Sequence, residues 1–245
     1  MVPVPKVELK RIKEYYIIEV LRLKNQKKDK NMDMTGITEK NIVLASSSPR
    51  RIAMFEEHGI KPTIIKPQCD ETLPDSIGME DAVMLLSLRK ALEVENILRK
   101  AADSPEDTSG VPADLYEKAP VIVAADTIVY HGKIIGKPTD RADAEAILME
   151  LSGNVHYVVT GVSILRAGCT QRRTFAEVSE VHFKTYTAAE LQDYLDTDEP
   201  YDKAGAYAIQ GTFEKYIECV TGDYNNIVGF PWDRFTAEME IFCRL

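Results

Sequence analysis

Short, continuous apolar runs alternate along this chain with stretches whose apolar residues recur every three or four positions, and the two patterns predict strands and helices respectively. Ile42, Val43 and Leu44 form a β-branched run suited to a buried strand. Pro49 then fits the first turn of a helix over 49–58, with Gly59 as its stop, and 63–66 reads as a short strand. The most regular helical pattern is 79–100, where Val83, Leu86, Lys90, Val94 and Ile97 share one face. A second apolar strand, 121–125, ends at Asp126 and Thr127, and Asp140 or Thr139 can cap a helix over 140–151. Strands are expected at 156–165, 177–183 and 216–220, and helices at 188–194 and 232–242. Residues 68–75, 101–120 and 222–231 read as loops. Strands alternating with helices define an α/β chain.

Residues 1–40 stand apart from this pattern. A helix over 7–23 lacks one clean apolar face, and a polar link follows it, so 1–40 is expected to be a non-catalytic N-terminal extension and 41–245 the functional domain. Charge divides at the same place: ten Lys/Arg against six Asp/Glu in 1–40, and twenty against thirty-three thereafter. An acidic body argues against binding of nucleic acid duplexes, whose phosphates call for clustered cations. No apolar run reaches the roughly 20 residues that span a bilayer, so no membrane partner is expected. Cys69, Cys169, Cys219 and Cys243 form no CxxC pair, so reduced thiols in a cytoplasmic setting are expected rather than a zinc site.

Candidate chemistry clusters at four places. In NIVLASSSPRR a strand runs into a helix through three serines, and backbone N–H groups, a helix N-terminus, Ser48, Arg50 and Arg51 together suit an anion such as phosphate. Ser48 as a plain helix cap is the alternative. Lys90 falls among apolar helix positions, either snorkelling or pointing into a cleft. Asp126, at the end of a buried strand, is placed to bind metal, act as a base or cap a turn. In residues 198–211 the glycines allow close backbone approach and the Gln210 amide suits the edge of a base, although the same glycines also turn a chain. His156 has no second histidine nearby, which favours a hydrogen-bonded core role over metal ligation.

Taken in order, LASSSPRR, Asp70-Glu71, RKA at 89–91, AADTIV at 124–129, GKP at 136–138, LSGNVHYVVTGV at 151–162 and DKAGAYAIQG at 202–211 resemble the Maf family of nucleoside triphosphate pyrophosphatases from Asn41 to the C-terminus. The resemblance implies a mixed twisted sheet with flanking helices, related to the inosine triphosphatase type, with two lobes around a cleft and usually a homodimer. It implies hydrolysis of a nucleoside triphosphate to monophosphate and pyrophosphate with a divalent metal, Mg²⁺ or Mn²⁺. By position, Asp126 matches the proton acceptor and, with Glu71, holds metal, while Ser48, Arg50, Arg51, Lys90 and Lys137 match phosphate contacts. Arg50, Thr127 and Gln210 match the positions associated with preference for dTTP and UTP over 7-methyl-GTP. Ala208 stands where glycine is more usual. A nucleotide-binding regulator of cell division without turnover, and cleavage between the β and γ phosphates, are the rival readings.

Overall fold

The computed structural model describes residues 42–103, 111–112 and 114–244; the helix expected over 7–23 lies outside the described residues. One seven-stranded sheet forms the centre. The elements are β1 (Ile42–Ala45), α1 (Pro49–Glu57), β2 (Thr63–Ile64), α2 (Met79–Asp103), β3 (Val121–Tyr130), β4 (Ile134–Ile135), α3 (Arg141–Leu151), β5 (Val155–Arg166), β6 (Arg172–Phe183), α4 (Ala188–Leu195), β7 (Ile217–Thr221), α5 (Tyr224–Val228) and α6 (Trp232–Arg244). The strand order is β2-β1-β3-β5-β6-β7. β2, β1 and β3 run parallel, and the remaining pairs are antiparallel.

The two faces of β3 pack against different partners, because successive strand residues point to opposite sides. Ile122 and Ala124 meet Ala91, Val94 and Leu98 of α2 in one cluster, and Ile128 meets Ala82 and Val83 in another. Val129, on the other face, joins α3, α4 and an aromatic group centred on Phe183, Tyr207 and Phe213. A further aromatic cluster of Phe55, Phe230, Trp232 and Phe235 ties α1 to α6.

Helix α2 lies unusually close to the sheet. A Cβ on Gly161 would sit 2.3 Å from the Val83 carbonyl carbon and oxygen, so only glycine fits beneath that turn. Close by, the hydroxyls of Ser87, Ser163 and Thr174 link α2, β5 and β6 at 2.9 and 3.0 Å. The buried serines thus satisfy one another.

Three expectations need correction. Strand β3 does not end at Asp126 but continues to Tyr130, because β5 pairs with all ten of its residues, including Asp126↔Gly161 and Thr127↔Thr160. The loop expected at 222–231 contains a helix, α5, which is capped by the Asp223 side chain and held by the buried Asn226 amide, donating to Val158 O and Ser179 Oγ. Strand β6 begins five residues before the expected 177, since its outer half pairs with β5 and its charged side chains find partners. Arg173, for example, pairs with Glu238 of α6.

Candidate functional site

The longer β3 makes an opening. β1 pairs with β3 only as far as Ala124, and β4 rejoins the same edge at Val129. Residues 125–128 are left without a strand on that side. Backbone groups in such a gap need other partners, and Arg51 supplies one: its Nη1 donates to Ala125 O at 2.7 Å. The gap opens into a cleft of about 730 Å³, within the size range of small-molecule sites.

All nine residues singled out in the sequence, Ser48, Arg50, Arg51, Glu71, Lys90, Asp126, Thr127, Lys137 and Gln210, line this one cleft. Lys66, Lys203 and Asp202 line it too, so six cations face three carboxylates in a chain whose net charge is −9. That is the local basic pocket an acidic protein needs to bind an anion.

The serine turn and α1 form one wall. Ser48 is the N-cap residue by position, yet its side chain makes no capping hydrogen bond, so the plain-cap reading does not hold. Its N–H instead donates to Ser46 Oγ at 3.2 Å. No acidic residue occupies the first turn of α1, and the positive end of the helix faces the cleft unneutralised.

Arg51 is committed to the protein. Besides Ala125 O, Nε donates to Gly229 O at 2.9 Å and Nη2 to Thr127 Oγ1 at 3.0 Å. Burial pushes its pKa down to about 10, against the pull of Asp126, so the guanidinium is still charged at neutral pH. Thr127 Oγ1 lies 2.9 Å from Thr160 Oγ1, which donates to Asn226 O at 3.1 Å. Donors and acceptors therefore run one way, from Arg51 through both threonines to Asn226 in the middle of α5.

On the opposite face of β3, Asp126 points at α2. Lys90 Nζ sits 2.5 Å from Asp126 Oδ1 and 2.8 Å from Glu71 Oε1. Lys90 is therefore in the cleft rather than snorkelling. Burial alone would lower its pKa, but the two carboxylates outweigh burial and hold it above the ordinary lysine value. Glu71 is carried by a loop that Arg89 staples to α2, with Nη1 donating to Asp70 O at 3.2 Å and to Thr72 O at 2.6 Å. Arg89 is a supporting residue that sequence reasoning missed; its adjacency to Lys90 was the available signal.

Two carboxylate oxygens that share one ammonium are close enough to share one cation. Hard, anionic oxygen donors suit Mg²⁺ or Mn²⁺, and Mg²⁺ commonly takes only one or two carboxylates, completing its shell with water and phosphate. Among the described residues no group of three or more His, Cys, Asp or Glu could hold a metal ion, so the fit is to such a partial shell and not to an all-protein cage.

The far wall is the 202–210 segment. Gly205 N donates to Gly136 O at 3.0 Å, docking this segment on the turn that carries exposed Lys137. Gly205 and Ala206 both adopt positive φ, 75° and 59°. A Cβ on Gly205 would meet Val129 at 2.9 Å. Ala208 is not in the left-handed region, so its methyl is accommodated without backbone strain. Behind the wall, the hydroxyl of Tyr207 and Nε2 of fully buried His156 are 2.8 Å apart, the hydrogen-bonded core role expected for this histidine.

Burial, with His131 and His182 adding to it, pushes His156 down to about 3 from 6.5. Its folded pKa is thus below its unfolded one. As pH falls below 6.5 the unfolded chain takes up this proton while the folded one does not. Stability from this residue then drops by about 1.4 kcal/mol per pH unit until about pH 3. Urea unfolding at a series of pH values should show that slope flattened in His156→Gln, which keeps a hydrogen-bonding side chain; an unchanged slope would contradict the assignment.

The fold and site define an α/β protein with a cation-rich cleft in which two carboxylates share one ammonium, at the open end of a parallel strand pair. The profile of the family described as "Maf-like protein" matches residues 41–242. The chain belongs to that family. A protein of Halalkalibacterium halodurans named dTTP/UTP pyrophosphatase is 37% identical over 203 residues, 82% of this chain and 96% of that one. A Geobacillus protein of the same name is 38% identical over 201 residues, 82% and 97%. A solved structure, the Ham1 protein of Staphylococcus aureus, covers 81% of this chain and 97% of its own at a TM-score of 0.40 and 12% identity.

Proposed function

We propose that this chain hydrolyses nucleoside triphosphates, with dTTP and UTP as its substrates, to the monophosphate and pyrophosphate. The observation that carries the reading is the Asp126–Lys90–Glu71 constellation inside a cleft whose other walls carry Ser48, Arg50 and Lys137. The names of relatives matching over more than nine-tenths of their own length support the reaction and the substrates.

In this reading the free N–H groups and Ser48 at the start of α1, with Arg50, Lys137 and Lys90, receive the triphosphate. Arg51 adds its charge from the cleft wall, its donors being largely taken by Ala125, Thr127 and Gly229. Glu71 and Asp126 would hold a divalent cation, which would supply neutralisation of the phosphate charge. Asp126 orients the attacking water toward the α phosphorus and accepts its proton, while Arg50, Lys90 and Lys137 offset the charge that develops on the departing pyrophosphate. Gln210 reads the pyrimidine edge, with Arg50, and Thr127 sets the pocket floor through its bonds to Arg51 and Thr160. The reading extends to a cytoplasmic homodimer. It is supported there by the family resemblance and by four free cysteines, Cys69, Cys169, Cys219 and Cys243.

A nucleotide panel at equal concentration, with separate detection of pyrophosphate and orthophosphate, tests this. Pyrophosphate release that is fastest with dTTP and UTP is the expected result. Preference for a purine such as 7-methyl-GTP rejects the specificity, orthophosphate as first product rejects the bond cleaved, and tight binding without metal-dependent turnover favours a regulator.

A further inference from the structure

The same pair of carboxylates that suits a divalent ion is already bridged by a cation belonging to the protein. Lys90 Nζ is within hydrogen-bond distance of both Asp126 Oδ1 and Glu71 Oε1. An ammonium and a metal ion cannot both sit between the same two oxygens, because each carries positive charge and each needs those lone pairs. We propose that Lys90 closes the two-carboxylate site to free divalent cation, and that the triphosphate opens it by drawing the ammonium onto phosphate, so that metal and nucleotide bind as partners. This rests on the proposed assignment of Glu71 and Asp126 as metal ligands.

Three observations carry it. First, Lys90 engages one oxygen of each carboxylate, and Asp70, the neighbouring carboxylate, accepts from Thr72 N at 2.9 Å within its own loop. With Lys90 bridging, the two carboxylates keep a single net negative charge between them, a poor offer to a strongly hydrated divalent ion. Second, the two halves of the bridge are unequal. Lys90 and Asp126 side chains are 15% and 14% exposed, whereas Glu71 is 62% exposed, so the Glu71 half is the one solvent weakens and the one that gives way first. Third, a phosphate binding beside Ser48, Arg50 and Lys137 lies in the same cleft as Lys90, so the ammonium can change partners without leaving it. Linkage makes the effect reciprocal: whatever factor the nucleotide adds to metal affinity, metal adds to nucleotide affinity.

The test measures Mn²⁺ binding by electron paramagnetic resonance and calorimetry, with and without a non-hydrolysable α,β-imido analogue of UTP. No turnover is needed. In the wild-type chain Mn²⁺ alone should bind weakly, and saturating analogue should tighten it by about tenfold or more. Lys90→Met, which keeps the apolar stem, should bind Mn²⁺ alone about tenfold more tightly than wild type, and the gain from analogue should shrink. Lys90→Gln serves as a second variant should the methionine variant unfold, and thermal melts establish which is folded. If folded Lys90 variants bind Mn²⁺ no more tightly than wild type, while Glu71→Gln lowers Mn²⁺ affinity in the presence of analogue, the closure is wrong and the ligand assignment stands. If Glu71→Gln and Asp126→Asn leave Mn²⁺ binding untouched in every background, the ligand assignment fails and the closure falls with it.

Discussion

Asp126→Asn should leave a folded chain that releases pyrophosphate about 10³-fold more slowly than wild type, the order expected when a positioned proton acceptor is lost. The substitution keeps the size of the side chain and removes its charge. β3 is held along its whole length by β5, so the strand itself does not depend on this side chain. The immediate loser is Lys90, whose shorter contact becomes one to a neutral amide and whose remaining carboxylate partner is Glu71. Circular dichroism and a pyrophosphate-release assay on the same preparation check the two halves of the prediction. Turnover near wild type would remove Asp126 from the chemistry.

Gly161→Ala is expected to have the largest effect on stability. The added methyl would lie 2.3 Å from the carbonyl carbon and oxygen of Val83 and 2.8 Å from Met84 N, all backbone atoms that no rotamer change can move aside. The helix must lift or the strand must bend. Overpacking of this kind costs about 1–3 kcal/mol and occasionally more, which for a chain of this size corresponds to a fall in Tm of roughly 2–12 °C. Because α2 also carries Lys90 and Arg89, the variant should, on the proposed reading, lose turnover at temperatures where it is still folded. Calorimetry with parallel assays decides this, and an unchanged Tm would mean that α2 does not rest on β5 as closely as described.

Both predictions concern contacts between distant parts of the chain, and this is where sequence reading runs out. Ile42–Ala45, Met79–Asp103 and Trp232–Arg244 were legible because their periodicity is local and strong. The nine candidate residues stood out as types at motif spacings, and all of them line one cleft. What was not legible depends on pairing. Asp126 looked like the end of a strand because the apolar run stops there. The strand continues because β5 supplies partners 27 to 35 residues later, from Tyr130↔Tyr157 to Asp126↔Gly161. Arg51 looked like a surface or phosphate-facing side chain. Its acceptors include Ala125 and Thr127 of β3 and Gly229, 178 positions away. The link between His156 and Tyr207 likewise joins residues 51 apart, and neither has a pattern that announces the other. Helix α5 escaped notice because five residues rich in asparagine carry almost no helical signal.

The placement of Asp126 and Thr127 on neighbouring positions of β3, and hence on opposite faces of one sheet, gives the protein a partition between two kinds of change. On the proposed reading, substitutions among the partners of Thr127, at Thr160, Asn226 or Gly229, reshape the side that chooses a nucleotide. Those among the partners of Asp126, on α2 and the Glu71 loop, alter the side that cleaves it. New substrate preferences can therefore be acquired by drift on one face while the hydrolytic face is kept. A single-residue deletion within β3 would have the opposite consequence, exchanging the two side chains between faces and abolishing both roles at once.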